Sequence, residues 1–275
     1  MRADGPTDDP TPDAPPPWDL TGYELDLDED FRGGTLDPAR WLPHHLPQWS
    51  SRAASAARYD LDDRGLVLRI DADQQPWCLD LDGSTRVSNL QTGVHAGPLG
   101  SRVGQHRFAP DAVVREEQPT TRLYTPFRGV IEVRCAASAD PDAMVALWMI
   151  GFEDEPDRSA EICVCEIFGR DVEPGRGVVG MGVHPFGDPT ITDDFARVPL
   201  DLDLRELHDY GVRWDADRID FYVDRAHVRT VRQSPRYPMQ LMLGIYDFTP
   251  ADRVVPEAYP KRFRVSRVRG HRPRG

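Results

Sequence analysis

The feature that most constrains this chain is a series of short segments in which apolar and polar residues alternate. Residues 66–70, 130–135, 219–223 and 239–245 are examples, each bounded by Gly, Pro or Asp. A period of two over five to seven residues is typical of β-strands. No stretch keeps a helical period over three turns, and residues 202–210 allow one or two turns at most. Many short strands without alternating helices predict an all-β sandwich or barrel.

The first eighteen residues differ in composition from the rest of the chain. They contain six prolines among acidic residues, and Trp18 is their first large apolar side chain. A segment that buries so little apolar surface cannot offset the entropy of ordering, so we predict a disordered tail over residues 1–18. Residues 19–275 have neither a composition break nor a repeat, and we expect them to form one domain.

Charge and apolar content exclude several classes of partner. The sequence has 46 acidic and 33 basic side chains, a formal charge of −13, which argues against nucleic acid or an anionic membrane surface as the partner. The longest apolar runs, such as Met144–Ile150, are too short to span a bilayer. The N-terminus has no apolar core of a secretory leader and there are only four cysteines, so we expect a cytoplasmic protein with free thiols.

Two glutamates in residues 161–169 are the strongest candidates for chemistry. In a regular strand, Glu161 would face one side and Glu166 would face the core, where an unpaired carboxylate is costly. One extra residue at Val164-Cys165, a β-bulge, would return Glu166 to the face of Glu161 and turn Ile167 inward. Two carboxyl groups about 5–5.5 Å apart are what a retaining glycosidase requires. Two glutamates on an ordinary solvated strand face are the alternative.

The sequence around these glutamates resembles glycoside hydrolase family 16, the laminarinase and lichenase group. Residues 161–166 resemble the family's Glu-x-Asp-x-x-Glu motif, and further segments resemble the family in the same chain order. These are residues 30–31, 36–37 and Trp41, then 127–134, 146–149, His184, 208–214 and 218–224.

This resemblance implies a concanavalin A-like jelly-roll sandwich of two curved antiparallel sheets with the substrate in a concave cleft. It also implies that Glu161 is the nucleophile and Glu166 the general acid/base of a retaining hydrolase acting on a β-linked glucan or related glycan. We therefore expect an oligo- or polysaccharide as partner, a monomer, and no required cofactor or catalytic metal. The family often binds a structural calcium ion, but no oxygen-ligand cluster in the sequence indicates one.

The chain departs from the family motif at its centre, where Cys163 replaces the aspartate that holds the nucleophile. A thiol is a weaker hydrogen-bond donor than a carboxyl group. The loop before Glu161 also lacks the family's tryptophan. Two alternatives follow, a carbohydrate-binding jelly roll with impaired catalysis and a cytoplasmic enzyme acting on an unusual glycoside.

Three further positions are candidates for contacts in the cleft. Trp148 is either a core residue or, if its alternation follows Met144 and Ala146 into the cleft, a platform for sugar stacking. His184 is either a cleft residue that orients Glu166 or a turn residue before a proline. The pair His44-His45 between prolines indicates a loop rather than a metal site.

Two polar residues and two cysteines can each be interpreted in two ways. Asn89 and Gln91 share one face of a predicted strand and are candidates for hydrogen bonds to sugar hydroxyls, or else they are solvated polar residues. Cys163 and Cys165 form a Cys-x-Cys pair, but without closely spaced further ligands this pair indicates buried free thiols rather than a metal site.

Overall fold

The computed structural model describes residues 17–275 and consists mainly of strands. The strands in the first half are β1 Tyr23–Glu29, β2 Arg58–Asp62, β3 Gly65–Ile70, β4 Arg86–Gln91, β5 Gly93–Val94, β6 Thr121–Arg122, β7 Gly129–Ala136 and β8 Ala143–Gly151. Those in the second half are β9 Glu161–Phe168, β10 Val172–Glu173, β11 Arg176–His184, β12 Asp194–Leu200, β13 His208–Trp214, β14 Ile219–Val223, β15 Ala226–Val231, β16 Met239–Asp247 and β17 Lys261–Pro273. Helical structure is limited to α1 Leu79–Asp82 and the 3₁₀ turns Pro47–Trp49, Gly169–Asp171, Ala251–Arg253 and Pro256–Ala258.

Two large antiparallel sheets contain most of these strands. The first sheet has the order β15-β14-β13-β7-β17-β3-β2, with β1 also paired to β17. The second has the order β10-β11-β9-β8-β16-β4, with β12 also paired to β11. The four segments predicted as strands correspond to β3, β7, β14 and β16. Residues 202–207 contain turns, and residues 208–210 are the first residues of β13. None of the helices in residues 17–275 is long and apolar enough to cross a membrane.

The hydrophobic core lies between the two sheets and explains the alternation in the sequence. Fully buried side chains from both sheets contact one another there, among them Trp214 and Phe263 from the first sheet and Leu147, Ile162 and Leu243 from the second. The predicted all-β jelly-roll sandwich is therefore confirmed. The opposite face of the second sheet carries a separate apolar cluster, which is covered by the loops between β1 and β2, between β3 and β4 and between β5 and β6.

The boundary of the predicted tail differs from the structure at its last two residues. Residues 1–16 lie outside the described residues. Pro17 accepts a hydrogen bond from Arg213 on β13 through its carbonyl oxygen. The Trp18 ring packs edge-on against Tyr222, with 5.0 Å between the ring centroids, and it lies over the backbone of Gly211. Pro17 and Trp18 therefore contact the first sheet, and the tail over the preceding residues stays a prediction.

Replacing Trp18 with Ala is expected to lower the free energy of unfolding by about 1–2 kcal/mol, because an aromatic edge contact and its buried area are lost. Urea denaturation followed by circular dichroism measures this difference. Leu25→Ala is the control, since Leu25 is 54% exposed and its truncation removes little packing. Equal unfolding free energies for Trp18→Ala and the wild type would contradict a packing role for Trp18.

Candidate active site

A cleft of about 520 Å³ opens on the face of the second sheet that points away from the core. Strands β8, β9, β11 and β16 form its floor, and loops form its walls. The residues that line it, which define the cleft below, are His45, Leu46, Trp77, Asp82, His106, Phe108, Met144, Ala146, Trp148, Glu161, Glu166, His184, Phe186 and Tyr246.

The predicted β-bulge in β9 is present. Cys163 pairs with Trp148 and Cys165 pairs with Leu147, so that Val164 is an extra residue without a partner on β8. The pairing of β9 with β11 shows the same one-residue shift. The pairing of β9 with both neighbouring strands therefore shows an extra residue at the position that the sequence alternation requires.

The bulge separates the side chains of β9 as the sequence predicts. Glu161 and Glu166 line the cleft, and the thiol of Cys163 contacts the carboxylate of Glu161. Ile162, Val164, Cys165 and Ile167 lie in the core between the sheets instead. All four cysteines are free and buried, which confirms the prediction of buried thiols.

Burial and hydrogen bonding set the protonation of the two glutamates. Cys163 donates its S–H to Oε1 of Glu161 at 2.7 Å. Burial raises the pKa of Glu161 to about 7, although this hydrogen bond and the nearby His184 act in the opposite direction. Burial also raises the pKa of Glu166, and His184 and two arginines oppose that shift. The pair therefore keeps a proton closer to neutral pH than two exposed carboxyl groups would.

His184 lies in the cleft and not in a turn. It ends β11, where it pairs in register with Glu161. Its Nδ1 is 2.5 Å from Oδ1 of Asp193, and its ring stacks on Phe195 with 4.8 Å between centroids. These two contacts fix the ring close to the two glutamates, where its electrostatic effect lowers the pKa of both Glu161 and Glu166.

Trp148 follows Met144 and Ala146 into the cleft, so the alternation in β8 continues as the sequence suggested. Its Nε1 donates to the hydroxyl of Tyr246 at 3.0 Å, and the ring of His106 lies 4.9 Å from its own ring. Only 7% of Trp148 is exposed. It is part of the cleft floor, and most of its surface is already packed.

Asn89 and Gln91 require a correction, because neither lines the cleft. Both are fully buried under the loop between β1 and β2. Asn89 donates to the carbonyl oxygen of His44 at 3.3 Å. Gln91 donates to Gly93 and accepts from the backbone of Leu46 at 3.1 Å. They hold this loop against β4, so contacts with sugar hydroxyls are not available to them.

The residues that line the cleft without having been selected by sequence analysis include His45, Trp77, His106, Phe186 and Tyr246. In β16, Leu241, Leu243 and Ile245 face the core, so Tyr246 falls on the opposite, cleft-facing side. This alternation could have indicated Tyr246 as a cleft residue. The other four lie outside the strands, where no periodic signal exists. His45 lies in a loop as predicted, but it is buried against the rings of Trp77 and Tyr246.

His106 and Phe186 form one wall of the cleft beside Glu161. Both have positive φ, 48° and 44°, which is uncommon for residues other than glycine. The Nδ1 atom of His106 is 3.8 Å from Oε2 of Glu161, and it is buried without a hydrogen-bond partner. Burial lowers the pKa of His106 to about 4, so its ring is neutral at physiological pH. Phe186 packs on His106 at 4.4 Å between centroids, yet 48% of it is exposed.

Residues 120–254 match the model of the family described as glycosyl hydrolases family 16. No match was found among curated protein sequences.

Several solved structures have the same fold. The GlcNAcα1-4Gal-releasing endo-β-galactosidase from Clostridium perfringens is 25% identical with a TM-score of 0.79; the match covers 94% of this chain and 65% of that one. The laminarinase from Flavobacterium sp. UMI-01 is 17% identical with a TM-score of 0.63, over 90% of this chain and 100% of that one. The laminarinase catalytic domain from Thermotoga petrophila RKU-1 is 15% identical with a TM-score of 0.58, over 92% and 99%. The match to the family model confirms the predicted resemblance to glycoside hydrolase family 16. The solved structures share the fold of this chain, which spans less than two thirds of the length of the endo-β-galactosidase.

Proposed function

We propose that this chain, with its confirmed resemblance to glycoside hydrolase family 16, is a retaining endo-glycosidase that cleaves a β-linked glycan in the cleft. Glu161 is the nucleophile and Glu166 the general acid/base in this proposal. The observation that supports it best is the bulge at Val164, which brings both carboxyl groups to the same side of β9 at the cleft floor.

The proposed reaction has two steps. In the first, the carboxyl group of Glu166 donates its proton to the glycosidic oxygen while an oxygen of Glu161 attacks the anomeric carbon, so that an ester forms and the C–O bond to the leaving sugar breaks. In the second, water attacks the same carbon and gives its proton to Glu166. The ester bond breaks, and Glu161 leaves as a carboxylate. Two inversions at one carbon retain the β configuration.

Neighbouring side chains position these groups in the proposal. The thiol of Cys163 holds one oxygen of Glu161 by its hydrogen bond at 2.7 Å. His184, fixed by Asp193 and Phe195, keeps a polar ring near both carboxyl groups. Trp148 offers apolar surface to a sugar ring at the floor of the cleft.

A neutral glycan is the favoured substrate class. The chain has a net charge of −13, which disfavours a polyanionic polymer. Among the structures compared above, the endo-β-galactosidase has the higher identity and TM-score, but this chain spans only 65% of its length. We therefore place β-galactosidic linkages first among those to be tested, and β-1,3-glucan second.

The experiment that tests this proposal is a hydrolysis assay on neutral β-galactans, mucin-type oligosaccharides, laminarin and mixed-linkage glucan, with the product anomer followed by proton NMR. We expect turnover of at least one of these substrates and a β anomer as the first product. A first product with α configuration, or no turnover of any substrate by folded protein, would contradict the proposal.

Replacing Phe186 with Ala is expected to raise KM about tenfold with a smaller change in kcat, because an exposed ring at the cleft wall contributes stacking to bound sugar. Steady-state kinetics on the best substrate measures the two constants. Phe127→Ala is the matched control. Phe127 is also exposed, at 46%, but it precedes β7, a strand of the first sheet, and does not line the cleft. Equal KM increases in both variants would show that the effect is not local to the cleft.

A second candidate function is glycan binding without turnover. The residue that favours it is Cys163, which occupies the position of the family's aspartate and gives Glu161 only a thiol as hydrogen-bond donor. In that case calorimetry would detect saturable oligosaccharide binding to the wild type while no product forms. The cleft would then serve recognition alone.

A further inference from the structure

We propose that Glu161, Cys163 and His184 form a binding site for a Zn²⁺ ion at the floor of the cleft. Each residue offers one ligand atom, and these three atoms all lie within 4.8 Å of one another. Carboxylate oxygen, thiolate sulfur and imidazole nitrogen are the three ligand types that zinc binds in proteins. Among residues 17–275, these three residues are the one group of His, Cys, Asp or Glu side chains whose ligand atoms lie close enough together to hold a metal ion.

The distances require only small side-chain movements. Zinc lies about 2.0–2.3 Å from its nitrogen, oxygen and sulfur ligands, so atoms at the corners of a tetrahedral site are about 3.3–3.8 Å apart. The sulfur of Cys163 and Oε1 of Glu161 are 2.7 Å apart, and they would separate by roughly 1 Å around the ion. The three residues lie on the paired strands β9 and β11, where Glu161 and His184 are in register.

The contact between His184 and Asp193 supports the proposal independently. Histidine ligands of metals usually direct their second ring nitrogen to a carboxylate, which fixes the tautomer and the ring orientation. Nδ1 of His184 is 2.5 Å from Oδ1 of Asp193, and this leaves Nε2 as the ligand atom. Stacking on Phe195 further restricts the ring.

The remaining coordination position faces the cleft. Three protein ligands with one open position are typical of exchangeable or catalytic zinc rather than structural zinc. The Nδ1 atom of His106 is buried without a hydrogen-bond partner and lies 3.8 Å from Oε2 of Glu161, whereas Cys163 contacts Oε1. Cys165 cannot contribute, because it points into the core. The sequence therefore presents a Cys-x-Cys pair of which one thiol is a ligand and the other is not.

Metal binding would compete with glycoside hydrolysis. Binding forms Zn–O, Zn–N and Zn–S bonds and releases the proton of the Cys163 thiol to solvent. An oxygen of Glu161 that is bound to zinc cannot attack a sugar. This consequence rests on the proposed function, whereas the site itself does not.

The test is titration of the metal-free full chain with Zn²⁺ in competition with a chromogenic chelator. We expect one Zn²⁺ ion per chain. Cys163→Ser and His184→Gln each remove a ligand, so we expect each to lose more than about 100-fold in Zn²⁺ affinity, a larger loss than removal of a ligand's hydrogen-bond partner causes. Asp193→Asn is expected to weaken binding about 10–100-fold. Cys78→Ser is the matched control, because Cys78 is also a buried free thiol but does not line the cleft. Equal affinity in Cys163→Ser and the wild type would overturn the proposal, as would no binding by the wild type.

A spectroscopic arm needs no variant and decides the case if Cys163→Ser does not fold. Co²⁺ added to the wild type should give the near-ultraviolet charge-transfer absorption of a thiolate ligand, and this absorption should persist in Cys78→Ser. Co²⁺ binding without that absorption would overturn the proposal.

The two proposals fail in different ways. If the chain hydrolyses a glycan, Zn²⁺ should inhibit it and a chelator should restore it, while binding without inhibition would place the metal elsewhere and overturn the site. If no substrate is turned over, the proposed function fails, and the Zn²⁺ and Co²⁺ titrations still decide on the site.

Discussion

Replacing Glu161 with Gln is expected to reduce kcat/KM by about 10⁴-fold or more, because an amide cannot form the glycosyl ester. Substrate binding should change little, since the two side chains have nearly the same shape and Oε1 can still accept the hydrogen bond of Cys163. Initial rates with the best substrate measure the first effect, and calorimetry with the same oligosaccharide measures the second. Loss of rate together with retained binding is the signature of a nucleophile.

Glu153→Gln is the matched control for this substitution. Glu153 is also a largely buried glutamate near the cleft, and burial raises its pKa to about 8. One of its oxygens accepts the backbone N–H of His106, a contact that glutamine preserves. We expect activity within a few-fold of the wild type, since Glu153 is not on β9. If Glu153→Gln lost as much activity as Glu161→Gln, the loss would reflect a general sensitivity of this region to substitution. Glu161 would then not be identified as the nucleophile.

Azide gives a stricter assignment of the two glutamates. In Glu161→Gly, azide can take the place of the missing carboxylate, and one inversion then yields an α-glycosyl azide. In Glu166→Gly, the glycosyl ester still forms and azide attacks it, which yields a β-glycosyl azide. The opposite products would reverse the two roles, and unaccelerated rates in both variants would contradict a retaining mechanism.

The alternation of the strands made much of the fold and the bulge predictable. Residues 161–167 cannot place both Glu161 and Glu166 outside the core without one extra residue, so the cost of a buried carboxylate is enough to predict the bulge at Val164. The same alternation offered a cleft position for Trp148 as one of two alternatives, and Trp148 lines the cleft. Within a strand, which face a side chain occupies follows from local sequence alone.

The sequence did not predict which loops cover the cleft-side face of the second sheet, and the positions of several residues depend on this. Asn89 and Gln91 are on the cleft side of β4, but the loop that contains His44 and Leu46 covers them and takes their hydrogen bonds. His106 reaches Glu161 from a loop more than fifty residues earlier in the chain. Such loop contacts have no periodic pattern and depend on the tertiary structure.

The grouping of Glu161, Cys163 and His184 could not be found from spacing for a similar reason. A Cys-x-Cys pair suggests that the two thiols act together, yet the bulge sends Cys165 into the core. The third ligand comes from β11, whose register with β9 is fixed only by sheet pairing. Metal-ligand motifs read from sequence detect ligands close in the chain, and this set combines neighbours with a residue from another strand.

Replacing Cys163 with Asp separates an enzyme from a binding protein. If the chain is a glycosidase limited by its thiol, a carboxyl group that shares a proton with Glu161 is a stronger donor, and we expect kcat/KM to rise by about 100-fold. The wild-type geometry permits this contact, since the residue already bonds Oε1 of Glu161. Initial rates on the panel of neutral glycans measure the change, with oligosaccharide affinity followed in parallel by calorimetry.

Substitutions with Ser and Ala at the same position complete this prediction, because they vary donor strength without adding charge. A hydroxyl group donates a stronger hydrogen bond than a thiol and alanine donates none, so rates should fall in the order Asp, Ser, Cys, Ala. If hydrolysis is absent throughout while every variant binds oligosaccharide, Glu161 no longer acts as a nucleophile, and recognition is the function of the cleft. If Cys163→Asp is slower than the wild type, the thiol itself is adapted to this site. The cause would then be the third ionisable carboxyl group placed between Glu161 and Glu166, where burial already raises the pKa of both.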